Sequence, residues 1–290
     1  DWGIIPQTLE GHTESVKAVA ITKQGKIASA SDDKTVRLWD IFTGQCLKIL
    51  ESHTGPVNSL KFIQDGRVLV TAPSNCIAQF WDPVTGECLQ SFTGYTDLDT
   101  GVIHIGNRIF LSTCFDSQVK LWDPTTGQCI QTLRGHAGPV WAITSTHDGK
   151  ILATSSSDTT VKLWNTTTGE RLHRLMGHVG AVVAITFTPD SSMLASASTD
   201  GTLRYWDPNP GKCIRVLEGH TRAVSSVVFS PDGKVLASAS HDYIQLWDVH
   251  TGACLQTLKG HKMCVLDLVF SRDSGMLISS SWDKTVKVYN

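Results

Sequence analysis

The chain has 290 residues, 41% of them hydrophobic and 18% charged, with a formal net charge of −2. That balance suits a globular protein with a large core and offers no basic field to nucleic acid or an anionic membrane. No apolar run approaches the roughly 20 residues a bilayer needs, and residues 1–10 lack the basic-then-apolar order of a secretory signal, so a cytoplasmic protein without a membrane partner is expected.

The chain opens at Asp1 without Met, which leaves room for a longer parent. Residues 4–10 read as one strand leading into Gly11-His12, with no partner strands before it. The first full unit spans 12–50 and carries Ser29, Asp33, Trp39-Asp40 and a Thr43-Gly44 turn. The second, 53–93, runs from Ser52-His53 to Trp81-Asp82 and Thr85-Gly86, with Asn75 where the first has Asp33. The third, 95–134, has Tyr95 in place of His and ends at Trp122-Asp123 and Thr126-Gly127; its stretch 97–106 is the weakest strand signal in the chain.

The fourth unit, 136–176, brings back His136, Thr154, Asp158 and Trp164-Asn165, and the fifth, 178–218, His178, Ser196, Asp200 and Trp206-Asp207. In the sixth, 220–259, four strands are explicit. Residues 224–229 are β-branched and aromatic, Ser230-Pro231-Asp232-Gly233 is a tight turn, and 235–240, 243–247 and 253–259 follow with turns at His241-Asp242 and Thr251-Gly252. One residue is missing between Asp242 and Trp247. The seventh unit, 261–290, stops after its third strand at Tyr289-Asn290.

The Trp-Asp markers and their equivalents recur at intervals of 42, 41, 42, 42, 41 and 42 residues. Strands apolar or small on both faces are expected when each sheet is sandwiched between two others, and no helical period interrupts them. The reading is all-β: a seven-bladed β-propeller of four-stranded antiparallel blades in one domain, 1–290. The opening strand has no blade of its own and the last blade lacks a fourth strand, so the N-terminal strand is expected to complete the last blade and close the ring.

Units of this length ending in Trp-Asp resemble the WD-repeat family over residues 4–290. Stretches such as 230–240 are also similar to the C-terminal repeat arrays of fungal NACHT-type signalling proteins of the vegetative-incompatibility group. The family resemblance implies a hydrogen-bonded set within each blade: His12, Ser29, Asp33 and Trp39; His136, Thr154, Asp158 and Trp164; His178, Ser196, Asp200 and Trp206; His220, Ser238, Asp242 and Trp247. The chemistry is coherent. An indole N–H only donates, a hydroxyl accepts it and donates onward, and imidazole passes the chain to a carboxylate. A Ser-His-Asp grouping repeated blade after blade argues for structure, because an active site occurs once. No enzyme activity, cofactor or metal is therefore expected.

Five cysteines, Cys46, Cys88, Cys129, Cys213 and Cys254, lie seven residues after their unit's Trp, on different blades and too far apart to pair. They are expected to serve as small packed hydrophobes in a reducing compartment. The resemblance further implies a partner-binding top face, built from the positions before each blade's Asp and three and five residues after its His. On this chain that rim includes Phe115, Trp141, Trp282, Leu266, Val183, Lys17 and His241. Exposed aromatics there point to a protein or peptide partner, and the domain is expected to be monomeric in isolation. The rival reading is a rigid assembly subunit that makes its contacts through blade edges.

Overall fold

The segment Ala28-Ser29-Ala30-Ser31 has small side chains on both faces, and all four residues are completely buried. The same holds for 195–198 and 237–240. A strand this thin lets neighbouring sheets close on it from both sides at packing density. It is the second strand of its blade throughout a ring of seven four-stranded antiparallel sheets. The computed structural model describes residues 6–74, 77–93, 100–105, 108–115, 117–123, 126 and 128–290, with backbone alone at 77, 92–93, 100–105 and 108–115.

Blade 1 runs outward from the channel as Val16–Ile21, Lys26–Ser31, Val36–Asp40 and Cys46–Leu50. Its outer face packs Ala28, Ala30, Val36 and Leu38 against Val57, Leu60, Leu69 and Trp81 of blade 2. That contact repeats around the ring. The third-strand Trp of each blade lies on the blade before it: Trp164 on Val119 and Leu121, Trp206 on Ala153 and Leu163, Trp247 on Ala195 and Leu203. Tyr289 fills the place in blade 7, against Ala237 and Leu246. Among the described residues no helix is long and apolar enough to cross a membrane.

The ring closes through Gln7–Leu9, which pairs antiparallel with Val286–Tyr289 in the register Gln7 to Val288 and Leu9 to Val286. This closing strand is shorter than the expected 4–10, of which 4 and 5 lie outside the described residues. Pro6 has no N–H to give a ladder, and Gly11 turns the chain away at φ +152°. Leu9 is buried with Val16, Ile27 and Trp39 of blade 1 and with Ile278 and Val286 of blade 7. The inner strand of blade 6 is also shorter than expected, Ser226–Phe229. Val224 N–H leaves the sheet to donate to Ser198 in blade 5. Tyr95 and Asn75, the departures noted in blades 3 and 2, fall outside the described residues.

Leu9 is the apolar anchor of the closure, so Leu9→Ala should destabilise the protein by about 2–4 kcal/mol in urea titration, the range for a leucine removed from a core. A loss under about 1 kcal/mol would mean that the closing strand contributes little beyond its backbone pairing.

Candidate functional site

Two sets of residues stand out: the polar chains inside the blades and the rim of the channel. Inside blade 1, Trp39 Nε1–H donates to Ser29 Oγ at 2.8 Å, Ser29 meets His12 Nε2 at 2.7 Å, and His12 Nδ1 meets Asp33 Oδ2 at 2.7 Å. The donors order the chain, with the hydroxyl proton on the imidazole and the Nδ1 proton on the carboxylate, so His12 is neutral. Asp33 Oδ2 also accepts Thr13 N–H, while Oδ1 accepts the Thr35 amide and hydroxyl. Blades 4 and 5 repeat these distances within about 0.2 Å through His136, Thr154, Asp158 and Trp164, and through His178, Ser196, Asp200 and Trp206. Blade 7 has His261, Ser279 and Asp283 in the same roles.

Titration follows the geometry. Burial pulls His12, His136 and His178 down despite their carboxylate partners. His53 and His220 are pulled to about 4, again by burial. Burial works to raise Asp33, but hydrogen bonds from Thr35 and His12 outweigh it and hold the carboxyl at about 2. The connectivity matches that of a hydrolytic triad, yet Ser29 is completely buried and its oxygen carries an indole N–H. No substrate carbonyl can approach it.

Blade 6 departs from the expected set. His220 Nε2 meets Ser238 at 2.6 Å and Trp247 donates to Ser238 at 2.8 Å, but Asp242 is absent from the chain. The missing residue leaves a two-residue hairpin in which Ser240 pairs with Tyr243, with His241 at φ +49°. So short a turn cannot carry the carboxylate back to the imidazole. Asp242 instead meets His241 at the surface, 3.0 Å away. Tyr243 takes its place: its ring stacks on His220 at 5.2 Å and its hydroxyl accepts Thr221 N–H at 3.2 Å. His220 Nδ1 has no hydrogen-bond partner among the described residues. Blade 4 adds a cation that the sequence reading did not include. Lys162 is buried and donates to the Gly135 carbonyl at 2.6 Å and to Asp158 at 3.2 Å.

The cysteines also differ from expectation. All five are exposed, each thiol donating to the carbonyl two residues on, as Cys46 does to Lys48 at 3.6 Å. They lie at the start of the outermost strands, Cys213 one residue in, and beyond these there is no further strand to bury them.

At the top of the ring the inner strands share an irregularity. The register slips by one residue between Val16 and Ala18, Val57 and Ser59, Val140 and Ala142, Val182 and Ala184, and Val265 and Asp267. The skipped residues are Lys17, Asn58, Trp141, Val183 and Leu266. A bulge takes its extra residue out of the strand's alternation, and all five line one cavity of about 360 Å³ at the channel mouth. Trp141 is 46% exposed, yet its indole is pinned by a 2.6 Å bond to Ser157 Oγ. Lys17 is paired with Asp32 at 3.1 Å.

Trp282 is 44% exposed but lies on a turn outside that lining, as does His241. Phe115 ends the strand Arg108–Phe115, and its side chain lies outside the description. The residue that sequence reasoning missed is Asp267, on the cavity wall beside Ser226. Its signal was available: a carboxylate where five of the other six repeats place Ala or Ser and the third has Gly101.

The description "WD domain, G-beta repeat" matches the chain seven times, at residues 3–40, 44–82, 86–123, 127–165, 169–207, 211–248 and 252–290. Serine-threonine kinase receptor-associated protein of Rattus norvegicus is 30% identical over 151 residues, 52% of this chain and 43% of that protein. Its Homo sapiens counterpart is 29% identical over the same shares. Pre-mRNA-processing factor 19 of Bos taurus is 28% identical over 143 residues, 47% of this chain and 28% of that protein. The matches thus span less than half the length of these relatives.

Two outcomes follow from the polar chains. Asp33→Ala strands the buried donor on His12 and removes the acceptor of the Thr35 amide and hydroxyl, and should destabilise by about 2–3 kcal/mol, whereas Asp242→Ala, at the surface, should stay within about 0.5 kcal/mol. Equal losses in urea titration would contradict the blade 6 geometry. The second outcome concerns acid. His12, His53, His136, His178 and His220 titrate lower folded than at their ordinary 6.5, so the unfolded chain binds more protons. Stability is full above pH 6.5 and falls as pH drops toward 4. Asp267, raised to about 6, opposes this as one group against five. The melting temperature should fall by at least about 5 °C between pH 7 and 5; a flat profile would mean that the folded imidazoles protonate freely.

Proposed function

The chain belongs to the WD-repeat family, and from that premise we propose that it is a non-catalytic interaction platform whose partner, a protein or peptide, docks on the top face at the channel mouth. The observation that carries this reading is Trp141. Its ring is nearly half exposed but held in one orientation by Ser157, over a cavity shared with Val183 and Leu266. A pre-ordered aromatic contributes contact area with little rotamer entropy left to lose, which is what interface anchors require. The relatives named above are, by name, a receptor-associated protein and a processing factor, and a role in association fits that company. The exposed thiols on five blades fit a reducing, cytoplasmic setting.

The narrower likeness to fungal NACHT-type arrays has no support among those relatives and is not carried forward. A second reading has its own observation. Leu89, Ile214 and Leu255 are each more than half exposed on outermost strands of different blades, which favours a subunit held by its perimeter.

The two separate by mutation. A partner captured from native lysate should bind Trp141→Ala at least about 30-fold more weakly, equivalent to about 2 kcal/mol for a central aromatic anchor. The substitution should leave the melting temperature nearly unchanged, because an exposed ring leaves no cavity. Unchanged binding to Trp141→Ala together with loss in Leu89→Ser/Leu255→Ser would move the contact to the perimeter.

A further inference from the structure

Asp267 occupies a position that the repeat fills five other times in matching register. It pairs with Ser280 as Ala18 does with Ala30, Ser59 with Ala72, Ala142 with Ser155, Ala184 with Ala197 and Ser226 with Ala239. Five of these six residues are Ala or Ser, and Asp267 alone carries charge. The carboxylate sits in the seam where the ring closes. Oδ2 accepts Val19 N–H from blade 1 at 3.1 Å, and Oδ1 accepts Leu268 N–H at 2.9 Å and the Ser226 hydroxyl of blade 6 at 3.5 Å. All three donors are neutral. Among the described residues no Lys, Arg or His nitrogen lies within 4 Å of it, and the nearby rim cation, Lys17, is paired with Asp32 at 3.1 Å.

A carboxylate partly buried in a cavity wall without a countercharge is poorly compensated and would be stabilised by any cation able to reach it. Burial raises its carboxyl to about 6, the three hydrogen bonds offsetting only part of the effect, so at neutral pH it is still ionised. Its Oδ2 has one donor and so retains an accepting lone pair. Above it stand Trp141, Val183 and Leu266, all lining the same cavity. The combination is a mouth that carries three apolar side chains beside Lys17 and Asn58, with a carboxylate in its wall that has no cation within 4 Å among the described residues.

We propose that this mouth receives a cationic side chain, lysine or arginine, projecting from an apolar segment of the partner, with its charge on Asp267 and its neighbours against Trp141, Val183 and Leu266. The inference rests on the docking reading above and adds to it the partner's chemistry. The ammonium or guanidinium donates to Oδ2, and the alkyl stem passes the apolar side of the rim formed by Trp141, Val183 and Leu266, as long basic side chains do when they bury a stem.

The test uses the full chain and terminally blocked Leu-Lys-Leu and Leu-Arg-Leu peptides, with a Leu-norleucine-Leu peptide as the uncharged control, read by Trp fluorescence and calorimetry. Both basic peptides should bind at least about 10-fold more tightly than the norleucine peptide. Asp267→Asn, which keeps an oxygen for Val19 N–H, should bind all three alike. Asp267→Ser, using the residue found at this position in blades 2 and 6, should do the same and guards against a folding defect in the first variant. Equal binding of the three peptides by wild type, no binding of any, or a preference that survives in both variants would overturn the proposal. If Trp141→Ala weakens a captured partner while Asp267→Asn binds it as wild type does, the docking reading stands and this inference falls. If neither variant weakens it, both fall.

Discussion

A buried indole N–H must find an acceptor, and much of this molecule follows from how that demand is met. The third-strand Trp of blades 1, 2, 4, 5 and 6 is buried against the preceding blade, where an unsatisfied donor is strongly unfavourable. In blades 1, 4 and 5 the acceptor is a second-strand hydroxyl, which passes its own proton to an imidazole on the incoming loop, and that in turn donates to the carboxylate of the next turn. One chain of bonds therefore fixes the second strand, the third strand, the entry loop and a top-face turn together. It also disfavours protonation of the imidazoles, since a charged ring would be buried and the hydroxyl proton would lose the ring nitrogen that now accepts it.

Repetition makes departures informative. Where the repeat is obeyed, the residues support packing, and a serine, histidine and aspartate in catalytic order are blocked by the indole above them. Where it is broken, two outcomes are seen. Tyr243 repairs the shortened turn of blade 6 from within, its ring covering His220 and its hydroxyl taking the amide that Asp33 takes in blade 1. Asp267 repairs nothing. It brings a charge to a wall built of small residues, at the junction of the last and first blades, in the cavity that Trp141 overlooks.

The seam between those blades has few covalent constraints, because the chain reaches it from both ends. Among the described residues its contacts include the short ladder of Gln7–Leu9, the insertion of Leu9 into the core shared with Trp39, the bond from Lys287 to Thr8 at 2.7 Å and the bond from Lys284 to the Thr13 carbonyl at 2.7 Å. The Val19 amide on Asp267 crosses the same seam from the channel side.

From the sequence alone came the count of blades, the four strands in each and the closing of the last by the first, while the family resemblance pointed to the polar chains of blades 1, 4 and 5 but not to those of blades 2 and 7. These depend on period, on local turn chemistry and on residue type, which a linear string displays. Side-chain direction was not legible. Trp141, Trp282 and His241 all sat at rim positions by spacing, yet only Trp141 reaches the channel mouth, because a one-residue bulge takes it out of the strand's alternation. Asp242 had the right residue type and nearly the right spacing, but one deleted residue turned its carboxylate to solvent. The cysteines looked like packing residues until the outermost strands proved to have nothing outside them. In each case the deciding quantity was a register slip, a hairpin length or a place on the perimeter. Those are set when strands pair and blades close into a ring, since a shift of a single residue reverses which way every side chain points.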